Sequence, residues 1–202
     1  KALPQKIVDI AATKPPPAAP EGMVLIPAGR FRFKVSGVEI EGGEKPGVDV
    51  QYPWEDLPQR HHDKELNIKA FYIDHYPVTN AEYKKFCDST TYRPKDDHNF
   101  LKDWKNGRCP EGWENKPVTW ISIEDARAYA AWAGKRLPHE WEWQYAAQGP
   151  ERRLFPWGNE PNPAAVPTPD QSRSPRPPTD VEAFPGGASP FGVMDMAGNV
   201  WQ

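Results

Sequence analysis

Two cysteines, Cys87 and Cys109, and five histidines are the side chains of this sequence best suited to redox or metal chemistry. The cysteines are compatible with one bridge or with two buried or free thiols, and their number does not decide between these. The adjacent His61 and His62, with Glu65 close behind, have the look of metal ligands. They run into an alternating stretch, however, where neighbouring side chains point to opposite faces, so solvated or edge positions are expected. His75, His98 and His139 are isolated. Arg136 lies in a turn between two helical patterns, where its planar fork suits carboxylates or loop carbonyls. Glu140 and Glu142 fall in the first turn of the following helix, where negative charge suits the macrodipole, and neither requires a catalytic role.

The elements that must position these residues are short. Among 202 residues there are 25 prolines and 9 tryptophans. A helical bundle or coiled coil cannot absorb that much proline, and a disordered chain would be poor in aromatics. The composition implies a loop-rich globular domain held by aromatic anchors. The net charge of −3, with no basic stripe, argues against a nucleic-acid partner. No apolar run approaches the ~18 residues of a bilayer-spanning helix. Lys1, with no initiating Met or signal peptide, looks like the start of a processed or trimmed chain.

Residues 1–20 have linker composition, with one apolar run from Ile7 to Ile10 before a proline-alanine stretch. Met23–Ile26 and Arg30–Val35 read as strands, and Leu66–Ile73 as a single central strand. Gly37–Asp56 reads as an ordered loop pinned by Tyr52 and Trp54. Thr79 with Glu82, and Ser122 with Asp125, match capping boxes that open two helices. The first helix turns Tyr83, Phe86 and Cys87 inward, which makes Cys87 a small core residue. The second carries Ala126, Tyr129, Ala130 and Ala133 inward and stops at Gly134. Pro138 opens a third helix, His139–Gln148, with Trp143, Ala146 and Ala147 on its buried face. The thirty residues 88–117 are too long for a passive connection and predict a packed loop. Residues 150–190 read as coil. The fold class expected is α+β with little regular structure.

Three stretches carry a resemblance. The first is Phe71-Tyr72-Ile73-Asp74 with Pro77-Val78-Thr79-Asn80-Ala81-Glu82-Tyr83. The second is Ala131-Trp132-Ala133-Gly134-Lys135-Arg136-Leu137-Pro138 with Glu142-Trp143 and Tyr145-Ala146-Ala147. The third is Phe155-Pro156-Trp157-Gly158-Asn159 leading to Phe191–Trp201. In this order they resemble the sulfatase-modifying-factor family, the formylglycine-generating enzyme family, over residues 21–202. The resemblance implies a C-type-lectin-like fold, incomplete at the C-terminus. Trp132, Trp143 and Trp157 would staple its core.

The resemblance also implies a calcium loop. Carried over residue by residue, the ligands are the side chain of Asp195, the carbonyls of Gly198 and Val200, and the side chain of Gln202. Hard oxygen donors of this kind suit structural Ca²⁺, although Gln202 stands where the family usually has Glu. The alternative is that Asp195 and Asn199 simply cap turns. The family's other calcium site has no counterpart around residues 164–170 and is expected to be absent. The family's enzymes hold copper(I) on two cysteines downstream of the position of Trp201, soft thiolates suiting that ion. Cys87 and Cys109 stand in other motif neighbourhoods and do not replace them, so no catalytic residue is assigned.

Two principal readings follow. One is a non-catalytic or truncated member acting as a binding or scaffold domain of a larger exported (periplasmic or extracellular) protein. The other is the front part of a copper- and O₂-dependent oxidase that converts a sulfatase cysteine to formylglycine, with its cysteines on a missing segment or another chain. A third, the family's iron-dependent sulfoxide-synthase branch, is disfavoured because that branch's iron-binding helical domain is not in this sequence. The expected partners are the missing segment or a second chain completing the fold, and an unknown ligand or sulfatase-like polypeptide. Stability of the 202 residues is expected to depend on that completion.

Overall fold

The computed structural model describes residues 13–14, 16–36, 61–167 and 177–200. The expectations for Ile7–Ile10, for the 37–56 loop with Tyr52 and Trp54, and for Trp201 and Gln202 lie outside the described residues. Strands β1 (Met23–Ile26), β2 (Gly29–Ser36), β3 (His61–Ile68) and β4 (Phe71–Asp74) are followed by helices α1 (Asn80–Ser89), α2 (Ile123–Trp132) and α3 (Glu140–Gln148). Two 3-10 turns, Pro163–Ala165 and Pro185–Gly187, interrupt the coil beyond α3.

The strands form two antiparallel ribbons. β1 pairs with β4, Met23 opposite Asp74 and Ile26 opposite Phe71. β2 pairs with β3, from Gly29 opposite Ile68 to Ser36 opposite His61. The single central strand expected over Leu66–Ile73 is therefore two strands in different ribbons, and among the described residues each ribbon has only two members. The reason lies in the partner segment. Pro27 has no N–H to continue the ladder, so β1 and β2 separate there. The opposing chain breaks at the matching place, Lys69-Ala70, both exposed. His61 and His62 form the first two residues of β3 rather than preceding a strand.

The helices start as their sequences dictate. The Glu82 N–H donates to Thr79 Oγ1 at 3.3 Å while Glu82 Oε2 accepts from the Thr79 N–H at 2.8 Å. The Asp125 N–H donates to Ser122 Oγ at 3.2 Å, and Asp125 Oδ2 accepts from the Ser122 N–H at 2.7 Å. His139 is the N-cap of α3 rather than its first turn. Gly134 and Gly149 lie beyond the ends of α2 and α3 at φ of 70° and 67°, the left-handed backbone that glycine adopts without steric cost.

Two hydrophobic clusters result. In the first, Ile26, Phe31, Phe33 and Ile68 of the ribbons meet Tyr145, Ala146 and Ala147 of α3, together with Val193 and Met196. In the second, Tyr83 and Phe86 of α1 meet Val118 and Tyr129, with Cys87 packed alongside. Tyr83 stacks on Tyr129 at 5.5 Å, and Phe86 meets the same ring edge-on at 5.8 Å. Of the three tryptophans expected to staple the core, Trp143 packs against the first cluster. Trp157 stacks flat on Phe155 at 5.1 Å. Trp132 is 43% exposed. As the last residue of α2 it lies over Phe86 and Tyr129 at 5.6 and 5.7 Å and closes the second cluster from outside.

The 3-10 turns pack against each other at Gly187, where an added Cβ would overlap the Ala165 carbonyl oxygen. Backbone cannot yield as a side-chain tip can. Gly187→Ala is expected to cost about 1–3 kcal/mol by overpacking, whereas Gly186→Ala, with open space around it, is expected to be close to neutral. Denaturant unfolding of the two variants checks this.

Candidate functional site

The turn between α2 and α3 places two oppositely directed cations. Arg136 forks onto Glu142, Nη1 to Oε2 and Nη2 to Oε1 at 2.7 Å each, and also donates to the Leu137 carbonyl at 3.0 Å. Glu142 is nearly buried and accepts a third bond from the His139 N–H at 2.8 Å. Burial pushes the Glu142 carboxyl up, but Arg136 and the His139 N–H outweigh it and hold the group below the usual carboxylate range. The sequence reading of Arg136 as a structural fork is thus what the geometry has. Lys135, one residue earlier, reaches the other way and meets Asp74 Oδ1 at 2.5 Å.

Asp74 and Lys135 line an open cleft of about 610 Å³, within the size range of small-molecule sites. Its walls come from Glu21-Gly22, the start of α1, Asn115 and residues 180–183. They are pinned by a Lys116–Asp180 ion pair at 2.7 Å and by bonds from the Val181 N–H to the Asn115 carbonyl and from the His75 N–H to the Gly22 carbonyl. Five carboxylates, Glu21, Asp74, Glu82, Asp180 and Glu182, face Lys85 and Lys135 across it. Much of this charge is committed. Asp74 and Asp180 are ion-paired, and Glu82 caps α1.

Asp195 is buried, at φ 55°, on a loop that also holds Gly198 and Asn199 in the left-handed region. Asn199 Nδ2 donates to Asp195 Oδ2 at 3.0 Å. The same amide grips Thr179, accepting from its N–H at 2.9 Å and donating to its carbonyl at 3.2 Å. The Gly198 carbonyl accepts from the Val200 N–H at 2.8 Å. Burial raises the Asp195 carboxyl, and the Asn199 bond only partly counters it. Asp195, Gly198 and Val200 therefore lie together on one tight loop, and Gln202 lies outside the described residues. The three offer oxygen alone, the donor type that Ca²⁺ takes, and the Gly198 carbonyl and one Asp195 oxygen already accept hydrogen bonds within the loop. Among the described residues no group of three or more His, Cys, Asp or Glu side chains converges as a metal site, so such a site would lean on backbone carbonyls.

The cysteines are both free thiols. Cys87 packs on the second cluster, and Cys109 follows the turn at 105–108. Burial pushes both thiols up.

Several positioning residues were not singled out from sequence. Asn80, directly after the N-cap of α1, is 2% exposed. Its Nδ2 donates to the carbonyls of Trp113 and Lys116 at 3.0 Å, and its Oδ1 accepts from the Trp104 indole at 2.9 Å. Asp125, read only as a cap, also accepts from the Tyr92 hydroxyl at 2.5 Å. Burial and this bond push the Tyr92 phenol up to about 12. The available signal was a polar residue standing among apolar positions at helical spacing.

A family model for the sulfatase-modifying factor enzyme 1-like domain matches residues 10–202. The chain belongs to this family. It is 31% identical to the formylglycine-generating enzyme of Mus musculus, over 93% of this chain and 59% of that protein. It is 33% identical to hercynine oxygenase of Mycolicibacterium smegmatis, over 93% of this chain and 49% of that protein. It is 29% identical to the inactive C-alpha-formylglycine-generating enzyme 2 of Bos taurus, over 89% of this chain and 69% of that protein. The structure of PvdO from Pseudomonas aeruginosa superposes with a TM-score of 0.60 at 26% identity, covering 88% of this chain and 67% of that one. The family fold, α+β in class, is thereby established. The chain spans about three-fifths of the length of the mouse enzyme and half that of the hercynine oxygenase.

The Glu142 shift has a stability consequence. A carboxyl whose folded pKa is lowered contributes stability above its ordinary range, and this is lost as pH falls through the lowered value. Glu142→Gln is expected to cost about 2–4 kcal/mol at neutral pH by leaving Arg136 unpaired. It should also flatten that part of the acid-side loss, as read from melting temperature against pH for both proteins.

Proposed function

We propose that this chain acts as a binding and scaffold part of an exported protein, holding a ligand or polypeptide on its loops rather than carrying out oxidation with its own residues. The observation that carries this reading is the placement of the thiols. Cys87 packs on the second cluster from α1 and Cys109 follows the 105–108 turn, so the two free cysteines of the sequence stand on separate segments. The cleft walled by Asp74, Lys135 and residues 180–183 offers a polar surface for a ligand. Among the described residues the β1–β4 ribbon has two strands only, and its edges suit completion by a further segment or a second chain.

The second reading is favoured by the identity to formylglycine-generating enzymes across nearly the whole of this chain. On that reading the chain is the front part of an oxidase that converts a sulfatase cysteine to formylglycine, with copper and O₂ chemistry supplied by cysteines carried elsewhere. Incubation of the full protein that carries this chain with a Cys-x-Pro-x-Arg peptide, copper and a reductant separates the two, since an aldehyde mass shift is expected only on the oxidase reading. The 202-residue chain alone is expected to give none on either reading, and an aldehyde product from it would overturn the account of where the cysteines lie.

Both readings share a structural calcium ion held by the Asp195 side chain, the Gly198 and Val200 carbonyls and the Gln202 side chain. A carboxyl raised by burial opposes folding once ionised, and a bound divalent cation offsets that cost. Ca²⁺ at a hundredfold excess over its dissociation constant would add about 2.7 kcal/mol by mass action. A calcium-dependent rise in melting temperature is therefore expected, and Asp195→Ala should abolish the rise. Absence of both binding and shift in the unaltered protein would remove the ion from the account.

A further inference from the structure

The segment 101–108 and the approach to α2 carry features that neither the core nor the sites above use. Trp120 has φ 59°, in the left-handed region where a bulky side chain is an outlier. Leu101, at φ 49°, is a second, and its N–H donates to the Trp120 carbonyl at 2.8 Å. Packing does not account for the cost, because Trp120 is 47% exposed. Its ring lies under the Lys102 ammonium, 4.6 Å from the ring centroid. Ile123, three residues on, is exposed as well.

Further along the same segment, Lys105 and Arg108 exchange both backbone hydrogen bonds, at 2.8 and 3.0 Å. Asn106 and Gly107 between them are both left-handed, at φ 52° and 71°, which is the signature of a type I′ hairpin turn. Such a turn sets the two cations directly opposite each other on one face, where like charges destabilise the pair. Neither has an ion-pair partner among the described residues. Between residues 101 and 108 a single carboxylate, Asp103, accompanies Lys102, Lys105 and Arg108. Two unfavourable local choices thus meet along the 101–108 segment, which the Leu101–Trp120 bond ties to the ring: an aromatic ring held out on strained backbone, and an opposed pair of exposed cations. Both are relieved by the same kind of partner, an anionic one with an apolar side chain.

We propose that Trp120, Ile123, Lys102, Lys105 and Arg108 form a docking surface for an acidic polypeptide segment. An apolar side chain of that segment covers the Trp120 ring while its carboxylates meet the three cations. Charge complementarity around an aromatic anchor is the usual anatomy of a small recognition site. Two of the three cations flank a short turn and the third lies three residues before it, in a chain with net charge −3, which suits a short acidic peptide better than a nucleic-acid backbone. This surface is separate from the cleft and from the Asp195 loop, and it stands whether or not either binds a ligand.

The test is binding to the protein of a fluorescent peptide in which glutamates flank a phenylalanine. A charge-reversed peptide, a heparin oligosaccharide and a single-stranded oligonucleotide are the comparison ligands. Saturable, salt-sensitive binding of the acidic peptide alone is expected. Trp120→Asn should weaken it about tenfold or more while leaving the melting temperature unchanged or higher, because Asn tolerates the left-handed backbone. The double variant K105E/R108E should weaken it comparably without touching the strained residue. No saturable peptide binding would overturn the proposal, as would tighter binding of the oligosaccharide or oligonucleotide. Retention of peptide affinity in K105E/R108E would overturn it too, whatever happens to the stability of Trp120→Asn.

Discussion

The buried carboxamide of Asn80 is the contact on which the loop-rich half of the molecule depends. It sits at the first turn of α1 and gathers two carbonyls and an indole N–H from residues 104–116. Backbone bonds then complete the junction. The Asn80 N–H donates to the Lys116 carbonyl and the Ala81 N–H to the Glu114 carbonyl. These are amide groups of the first helical turn, which have no partner inside the helix. A helix terminus and an irregular loop thereby satisfy each other, and the loop acquires a fixed path without becoming a strand or a helix. Lys116 and Asn115, placed by this junction, then reach Asp180 and Val181 and hold one wall of the cleft.

The same physical problem recurs throughout the chain and receives the same kind of answer. Proline removes donors and forbids regular ladders, while nearly every buried backbone group still needs a partner. Side chains supply those partners at the junctions. Glu142 receives the His139 N–H and the Arg136 fork, which fixes the angle between α2 and α3. Asn199 takes both backbone groups of Thr179 and steadies Asp195 with the same amide. Aromatic pairs then fill the space between junctions, each ring contributing large area at low entropic cost. Stability in such a fold is distributed over a few polar clamps and two modest clusters, so a single clamp matters more than it would in a helical bundle.

How much of this was legible in the sequence follows from the range of each interaction. The capping boxes at Thr79 and Ser122, the glycine stops at 134 and 149, and the fork at Arg136 were readable because both partners lie within about six residues. The family resemblance was readable because motif order survives where contacts do not show. The break of Leu66–Ile73 into two strands was not, since Pro27, some forty residues earlier, imposes it through pairing. Asn80 and the second role of Asp125 were missed for the same reason, as their partners lie 24 to 36 residues away. The exposure of Trp132 was missed because helical periodicity does not say where a cluster ends. At the candidate site, the resemblance singles out the residues from Asp195 to Val200, whereas the strain at Trp120 is a backbone property that residue types alone do not reveal.

The comparisons sharpen what such a frame can and cannot imply. Relatives named as a formylglycine-generating enzyme, a hercynine oxygenase and an inactive homologue match this chain at 31%, 33% and 29% identity. Identities so close cannot separate three such different outcomes. Chemistry within this family therefore does not reside in the shared frame as a whole, which agrees with the general independence of fold and function. What the described residues hold in common service is positioning, through Asn80, Asp125, Glu142 and Asn199. Each of these spends its polar atoms on backbone groups or on another fixed side chain, and in the structure each already has its partners. Function must instead draw on groups that the frame leaves uncommitted. Among the described residues, the cleft carboxylates Glu21 and Glu182 and the opposed cations Lys105 and Arg108 are groups of this kind, none of them held in an ion pair.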